Sequence, residues 1–441
     1  MNDGEKRKAV AKAVRAEARA ADKLLKEVHE LAEPAFRETR SAAAIADYLA
    51  ERGFRVEFPW KKIPTAFRAT RGRGRPAIGI LGEYDALPNC GPEQGALGHG
   101  CGHDLLGVAA AAGAVAAAEM LSTRRGRSGK VIYYGCPAEE TLAGKGFMAR
   151  DGAFRDIDAC LCWHPGGKNQ VRATGGAALD SLVFEFFGKT SHGASAEKGR
   201  SALDGVMLTD VAANYLREHI PENTRIHMVV REGGDAPNVV PAYARAWYYV
   251  RGKSRAEVDE IRERLIKCAR GAALATDTKM KWQRIAACYH RCENEAMENV
   301  VAENLKLFGG PKATPADKRR AKRLKLKGEF AGGVESKRDA QGRGSTDEDN
   351  VSWLAPLGGF GIACVARGTS SHHRDYDAQT TLPFAVRGML QAAKVFAGCV
   401  LDLVTDSRKL GAAKREFRKR TRGFRYDPLL NKAQKVPIDP P

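Results

Sequence analysis

Cys101 and His103 stand in the segment His99-Gly-Cys-Gly-His-Asp104, just after a glycine-rich stretch and just before an apolar run that begins at Leu105. Thiolate and imidazole both bind divalent ions of the zinc and manganese type. Asp104 could orient a ligand or start the following helix. Alone, the pair fits equally well a buried thiol beside a helix-starting histidine. Residues of matching chemistry recur further along. Glu139-Glu140 follows the β-type run Val131–Tyr134 and a turn marked by Gly135 and Pro137. Adjacent carboxylates there can divide the labour, one binding metal and the other taking a proton from activated water. His164 follows Ala159–Trp163 and precedes Pro165 and Gly166. Glu83 and Asp85 follow Ala77–Leu81, where one of them can support a ligand from behind. His372-His373 comes after the run Gly359–Val365.

Each of these groups sits at the end of a β-type run, which is where sites form in parallel sheets. The elements around them read as alternating helices and strands. Glu5–Leu31 and Arg40–Arg52 are predicted helices, the second stopped by Gly53. Ala77–Leu81, Val131–Tyr134 and Ala159–Trp163 are predicted strands, and Leu105–Leu121 a buried helix. That alternation implies an α/β fold, a mostly parallel sheet flanked by helices.

The character changes near residue 178. Strands at Asp180–Phe187, Arg225–Val230 and Ala244–Arg251 interleave with a helix at Ala202–Glu218 and another after Ser254-Arg-Ala-Glu257, a capping-box pattern. Apolar Val258, Ile261, Leu265, Cys268 and Ala272 step by three and four. The expected organisation is therefore a first part, 1–177, an inserted α+β domain, 178–290, and a second part, 291–441. The second part carries a basic insertion near 309–345, then the strand Gly359–Val365 and a helix Phe384–Leu401.

The 441 residues are 43% hydrophobic, enough for real cores. The charged opening Met1-Asn-Asp-Gly-Glu-Lys-Arg-Lys has no apolar region after it, no apolar run is expected to reach the ~20 residues a bilayer demands, and no membrane partner is expected. Ten irregularly spaced cysteines make no disulfide scaffold and fit reduced thiols and a cytoplasmic location. The net charge of +19 invites a nucleic-acid reading, but the cations are dispersed, with concentrations at Lys318–Lys327 and Lys409–Arg425 and no interleaved aromatics. A solvated basic surface that attracts anionic substrates is the better account.

In combination, Glu83-Tyr-Asp-Ala-Leu-Pro88, His99-Gly-Cys-Gly-His-Asp104, Pro137-Ala-Glu-Glu140 and Trp163-His-Pro165 resemble the metallo-amidohydrolase family of aminoacylases, carboxypeptidase G and auxin-conjugate and hippurate hydrolases. With Gly344-Ser-Thr-Asp347 the chain looks most like the p-aminobenzoyl-glutamate hydrolase subgroup and related dipeptidases, over roughly residues 20–400. The resemblance implies two divalent ions, manganese or zinc with cobalt or nickel also suited, held by Cys101, His103, Glu140, His164 and a late histidine. It implies Glu139 as general base, an inserted lid and dimerisation domain, and His192 of Phe187-Gly-Lys-Thr-Ser-His-Gly-Ala194 on the substrate carbonyl, often across a homodimer. Asn238 and Arg251 match substrate-binding positions, Arg251 being suited to a carboxylate. Asp85 and Asp104 are the expected supports behind the ligands. The motif Thr369-Ser-Ser-His-His-Arg374 departs from relatives, which tend to show a single histidine; His372 is the preferred ligand because His373 then falls at the variable position. The basic segment has no counterpart in the resemblance.

The expected reaction is hydrolysis of an amide bond in an N-acyl amino acid or a dipeptide-like substrate bearing a carboxylate. The alternatives are an aminopeptidase-like dipeptidase that recognises a free amine, and a non-catalytic anion-binding relative. Intact Cys101, His103, Glu139, Glu140 and His164 speak against the latter, since a dead copy is free to lose ligands.

Overall fold

Asn2 caps the first helix, α1 (Asp3–Leu31). Its side chain accepts the Glu5 N–H while the Glu5 carboxylate accepts the Asn2 N–H. Val10, Val14, Ala21, Leu24, Leu25 and Val28 form the buried stripe of this helix. The computed structural model describes residues 2–123, 128–172, 176–326, 328–335 and 344–438. Part of the predicted basic insertion, Lys327 and residues 336–343, lies outside them.

Along the chain follow α2 (Thr39–Ala50), β1 (Arg55–Glu57), β2 (Phe67–Arg73), β3 (Ala77–Glu83), α3 (His103–Ser122), β4 (Gly129–Cys136), α4 (Gly144–Arg150), β5 (Ala159–Gly166) and β6 (Gln170–Val171). Then come β7 (Ala178–Phe187), α5 (Ala202–Leu216), β8 (Arg225–Glu232), β9 (Tyr243–Gly252), α6 (Arg255–Ala275) and β10 (Lys279–Cys288). The chain closes with α7 (Glu295–Phe308), α8 (Pro315–Arg323), α9 (Glu348–Ser352), β11 (Leu357–Ala363), α10 (Arg374–Thr380), α11 (Pro383–Thr405) and α12 (Ser407–Arg420).

Two compact units result. The first comprises Met1–Gly175, Cys292–Gly342 and Asn350–Pro428; the second comprises Gly176–Arg291, Arg343–Asp349 and Leu429–Pro441. The first unit holds a seven-stranded sheet in the order β1-β2-β4-β3-β5-β11-β6. Its centre, β4-β3-β5-β11, is parallel, and β1, β2 and β6 add antiparallel edges. β3 and β11 are buried at every residue, as strands covered on both faces must be.

α3 is buried nearly throughout. Its alanines and glycines let other backbones come close: a Cβ on Gly113 would lie 2.7 Å from Phe396 Cβ of α11. α3 and α11 exceed the sequence expectation, since both are long and apolar enough to cross a membrane by composition. In this fold 83% and 72% of those windows is buried within the protein. β11 starts and ends two residues earlier than expected, because the Cys364 and Val365 N–H groups leave the ladder and donate to the Gly166 carbonyl.

The second unit is an antiparallel sheet, β10-β7-β9-β8. Ala244, Ala246, Tyr248 and Val250 alternate inward along β9 and share a core with Val206 and Ala213 of α5 and Val258, Ile261 and Leu265 of α6. Ser254 caps α6 as expected, but Glu257 reaches past it to the Lys253 N–H, so only half of the capping box forms.

Candidate metal centre

The parallel strands deliver Glu83, Glu139-Glu140 and His164 to one edge of the first unit's sheet. α3 begins there at His103, after Gly102 turns the chain at φ 77°. Only glycine fits that turn, since the backbone is left-handed and a Cβ would sit 2.7 Å from Pro165 Cγ.

His103 donates from Nδ1 to Asp85 Oδ1 at 2.8 Å, and Asp85 Oδ2 accepts the Glu140 N–H at 2.9 Å. His164 donates from Nδ1 to its neighbour's carbonyl, Pro165 O, at 2.7 Å. Because a carboxylate and a carbonyl can only accept, both rings carry hydrogen on Nδ1, which leaves Nε2 as the nitrogen that can serve a metal. The His164 Nε2 lies 3.3 Å from Cys101 Sγ. The buried His103 Nε2 makes no hydrogen bond among the described residues, and the Glu83 and Glu139 carboxylates stand 3.4 and 3.9 Å from it. His372 Nε2 lies 3.4 Å from Glu140 Oε2. Among the described residues three overlapping donor sets result: Cys101, His103 and His164; Cys101, Glu140 and His372; Glu83, His103 and Glu139. In each, the ligand atoms lie within 4.8 Å of one another.

The electrostatics fit a cation. Burial pushes Glu140 up to about 7, against the pull of His103 and helped by the Asp85 charge. Burial and the Glu140 charge push the Cys101 thiol above its usual range. Burial opposes charge on His103, but Asp85 prevails and lifts it well above the ordinary imidazole value. Three good ligands thus hold protons that a divalent ion would displace. Thiolate, imidazole and carboxylate donors with outer acceptors already in place fit such an ion.

The two expected supports differ. Asp85 lies directly behind His103. Asp104, in the first turn of α3, instead turns away, accepting its neighbour Leu105 N–H and pairing with His29 Nδ1 at 3.0 Å. The two late histidines also separate. His372, at φ 58°, donates its N–H to Gly100 O and faces Glu140. His373 caps α10, its Nδ1 accepting the Asp375 N–H.

Sequence reasoning did not single out Lys145, Glu38 or His29. Lys145 is fully buried and its Nζ is 2.6 Å from Glu83 Oε1. Buried Glu38 accepts the Ala138 N–H at 2.8 Å and so fixes the turn that presents Glu139. Each stands in a helix or loop far in sequence from its partner, with no motif around it.

In the second unit, His192 is exposed, with Nδ1 accepting the Ala194 N–H. Gly193 N–H donates to Asn238 O at 2.7 Å, which brings the His192 and Asn238 segments together at the corner where β7 ends and β9 begins. Arg251 lies at the other end of β9, paired with Leu179 of β7. From Tyr243 to Arg251 the strand runs ~26 Å at its usual rise.

Residues 177–277 match the peptidase dimerisation domain family. The chain is 35% identical to one of the p-aminobenzoyl-glutamate hydrolase subunits of Escherichia coli, over 88% of this chain and 90% of that protein. It is 31% identical to the Xaa-Arg dipeptidase of Mus musculus, over 84% and 81%. The chain belongs to the M20 family of metallo-amidohydrolases. As an M20 member it is a hydrolase of amide bonds. Solved structures share the fold: an aminobenzoyl-glutamate utilization protein from Klebsiella pneumoniae (19% identity, 89% and 98% covered, TM-score 0.64) and a Bacillus subtilis peptidase described as dinuclear metal binding (18%, 88% and 99%, TM-score 0.58).

Proposed function

We propose that this M20 hydrolase cleaves the amide of an N-acyl amino acid or dipeptide whose leaving amino acid carries a free carboxylate. The observation that carries this reading is the pair of imidazoles, His103 and His164, locked by outer acceptors so that their Nε2 atoms face a buried cluster of thiol and carboxylates.

Cys101, His103, Glu140, His164 and His372 would hold two divalent ions, manganese or zinc in the first instance. Bound there, such ions activate water and polarise the scissile carbonyl. Glu139, largely buried beside the cluster, takes the proton of the attacking water on its carboxylate and returns it to the leaving nitrogen. Asp85 keeps His103 in the tautomer that leaves Nε2 free. His192 and Asn238 hold the carbonyl of the substrate, and Arg251 its carboxylate through a bidentate contact.

The protein acts as a homodimer in this reading. Arg251 and the His192–Asn238 corner are too far apart along β9 to grip one small substrate from a single chain, so the corner serves the partner's site. Met207, Leu208, Val211 and Tyr215 of α5 and Val229 of edge strand β8 present exposed apolar side chains that a second copy would cover. A reducing compartment, the cytoplasm, suits the ten free cysteines.

The test is a panel of N-aroyl glutamates, other N-acyl amino acids and free dipeptides, including ones ending in arginine, given to the protein loaded with manganese or zinc. Hydrolysis that a chelator abolishes and metal restores supports the reading. Hydrolysis limited to free-amine dipeptides points to the dipeptidase alternative, and no metal-dependent turnover of any of them overturns it.

A further inference from the structure

The basic insertion is not a free surface loop. Its Gly328–Glu335 stretch is bonded into the turn that follows β5, the strand of His164, and into the loop that leads to His372, and Asn169 is the hub. After β5 the chain crosses over the end of β11 and returns as β6 on the other side of that strand. Asn169 lies in this crossing and is fully buried. Its Oδ1 accepts the Ala363 N–H of β11 at 2.9 Å, its Nδ2 donates to Ala331 O at 3.2 Å and Gly333 O at 2.9 Å, and its own carbonyl accepts the Glu335 N–H at 2.8 Å. Gly310, at the start of the insertion, presses on the same side chain; a Cβ there would lie 2.3 Å from Asn169 Nδ2.

The other hand of the clasp is Arg367, on the loop that leads to His372. Its N–H donates to Glu329 O at 2.9 Å, and its guanidinium pairs with the Glu335 carboxylate at 2.6 Å. Lys168, next to Asn169, lies 3.5 Å from the same carboxylate. Further along, the His372 N–H donates to Gly100 O, beside Cys101.

We propose that Asn169 and the Glu335–Arg367 pair are positioning elements of the metal centre, with the Gly328–Glu335 stretch acting as a clasp that fixes the spacing between the end of β5, which carries His164, and the His372 loop. The inference rests on the metal-centre reading. Neither Asn169 nor Glu335 belongs to the donor sets; they act through the backbone that follows His164 and precedes His372. Asn suits the hub because one acceptor and two donors are all satisfied there. An aspartate would turn an acceptor toward two carbonyls.

The test compares manganese affinity, measured by competition with a chromogenic chelator, with thermal stability. Arg367 is half exposed and Glu335 partly so, so charge reversal there is expected to leave the fold intact. Arg367→Glu and Glu335→Arg are each expected to weaken manganese binding about tenfold, as loss of an outer support does, with little change in Tm. The double swap is expected to restore binding. Asn169→Asp should weaken it at least as much. Single reversals that bind manganese as the parent does, or a double swap no better than the singles, overturn the clasp. Failure of the parent itself to bind manganese or zinc overturns the metal-centre reading instead.

Discussion

Asp85 accepts the Nδ1 hydrogen of His103 at 2.8 Å, and both side chains are completely buried. A proton fixed on Nδ1 makes the other ring nitrogen a ligand. The second Asp85 oxygen takes the Glu140 N–H, so one carboxylate orients two of the expected ligands. Asp85→Asn keeps the shape but removes the charge. It is expected to weaken metal affinity about 10–100-fold, read by chelator competition, with the far-UV spectrum unchanged. An unaltered dissociation constant would falsify the support role.

Glu139 is the group assigned to move the proton. Glu139→Gln is expected to bind metal as the parent does and to lose about 10²–10⁴-fold in kcat. Metal content by elemental analysis alongside turnover decides it; kcat within a few-fold of the parent removes Glu139 from the mechanism.

The adjacent histidines should separate cleanly. His372→Ala is expected to lower metal occupancy and activity together. His373→Ala loses a helix cap, a cost of about 0.5–1 kcal/mol, and should keep full occupancy. The reverse pattern would exchange their roles.

Glu38 gives a pH signature away from the ligands. Burial first, and then the Asp85 charge, push its carboxyl up to about 8. Between the ordinary carboxylate value and about 8, the folded protein holds a proton that the unfolded chain has released. That contribution to stability is complete at acid pH and is lost as pH rises through about 8. Glu38→Gln keeps the acceptor for Ala138 N–H and removes the titration. Its Tm relative to the parent should therefore rise by a few degrees between pH 5 and 9, followed by circular dichroism. A pH-independent difference would show that Glu38 does not titrate in this window.

Much of the site was legible because strand ends, glycines and paired carboxylates are local signals. The runs at Ala77, Val131 and Ala159 are continuous apolar segments, and each is followed within a few residues by a carboxylate or imidazole. What stayed hidden depends on distant partners. The contacts of Lys145 with Glu83 and of His29 with Asp104 join residues from separate elements, so nothing in the neighbouring sequence marks them. The turn of Asp104 toward His29 is invisible for the same reason. β2 was missed because its outer half, Thr70-Arg-Gly-Arg73, is polar and grows more exposed along an antiparallel pairing. β10 was missed because its first half is largely exposed. The basic insertion read as surface because its lysines and arginines dominate its composition, whereas the bonds of its Gly328–Glu335 stretch run through backbone groups, Asn169 and the Glu335–Arg367 pair.

The length of β9 between Tyr243 and Arg251 also bears on genetics. If each catalytic centre borrows the corner of its partner, two defective alleles can rescue each other. A chain carrying His192→Ala keeps its own Glu139, and a chain carrying Glu139→Gln can lend an intact His192. Co-expressed in equal amounts, two such silent variants should pair at random and recover about a quarter of normal activity, since half the dimers are mixed and each has one whole centre. Two variants that remain silent when co-expressed would place every catalytic group on one chain.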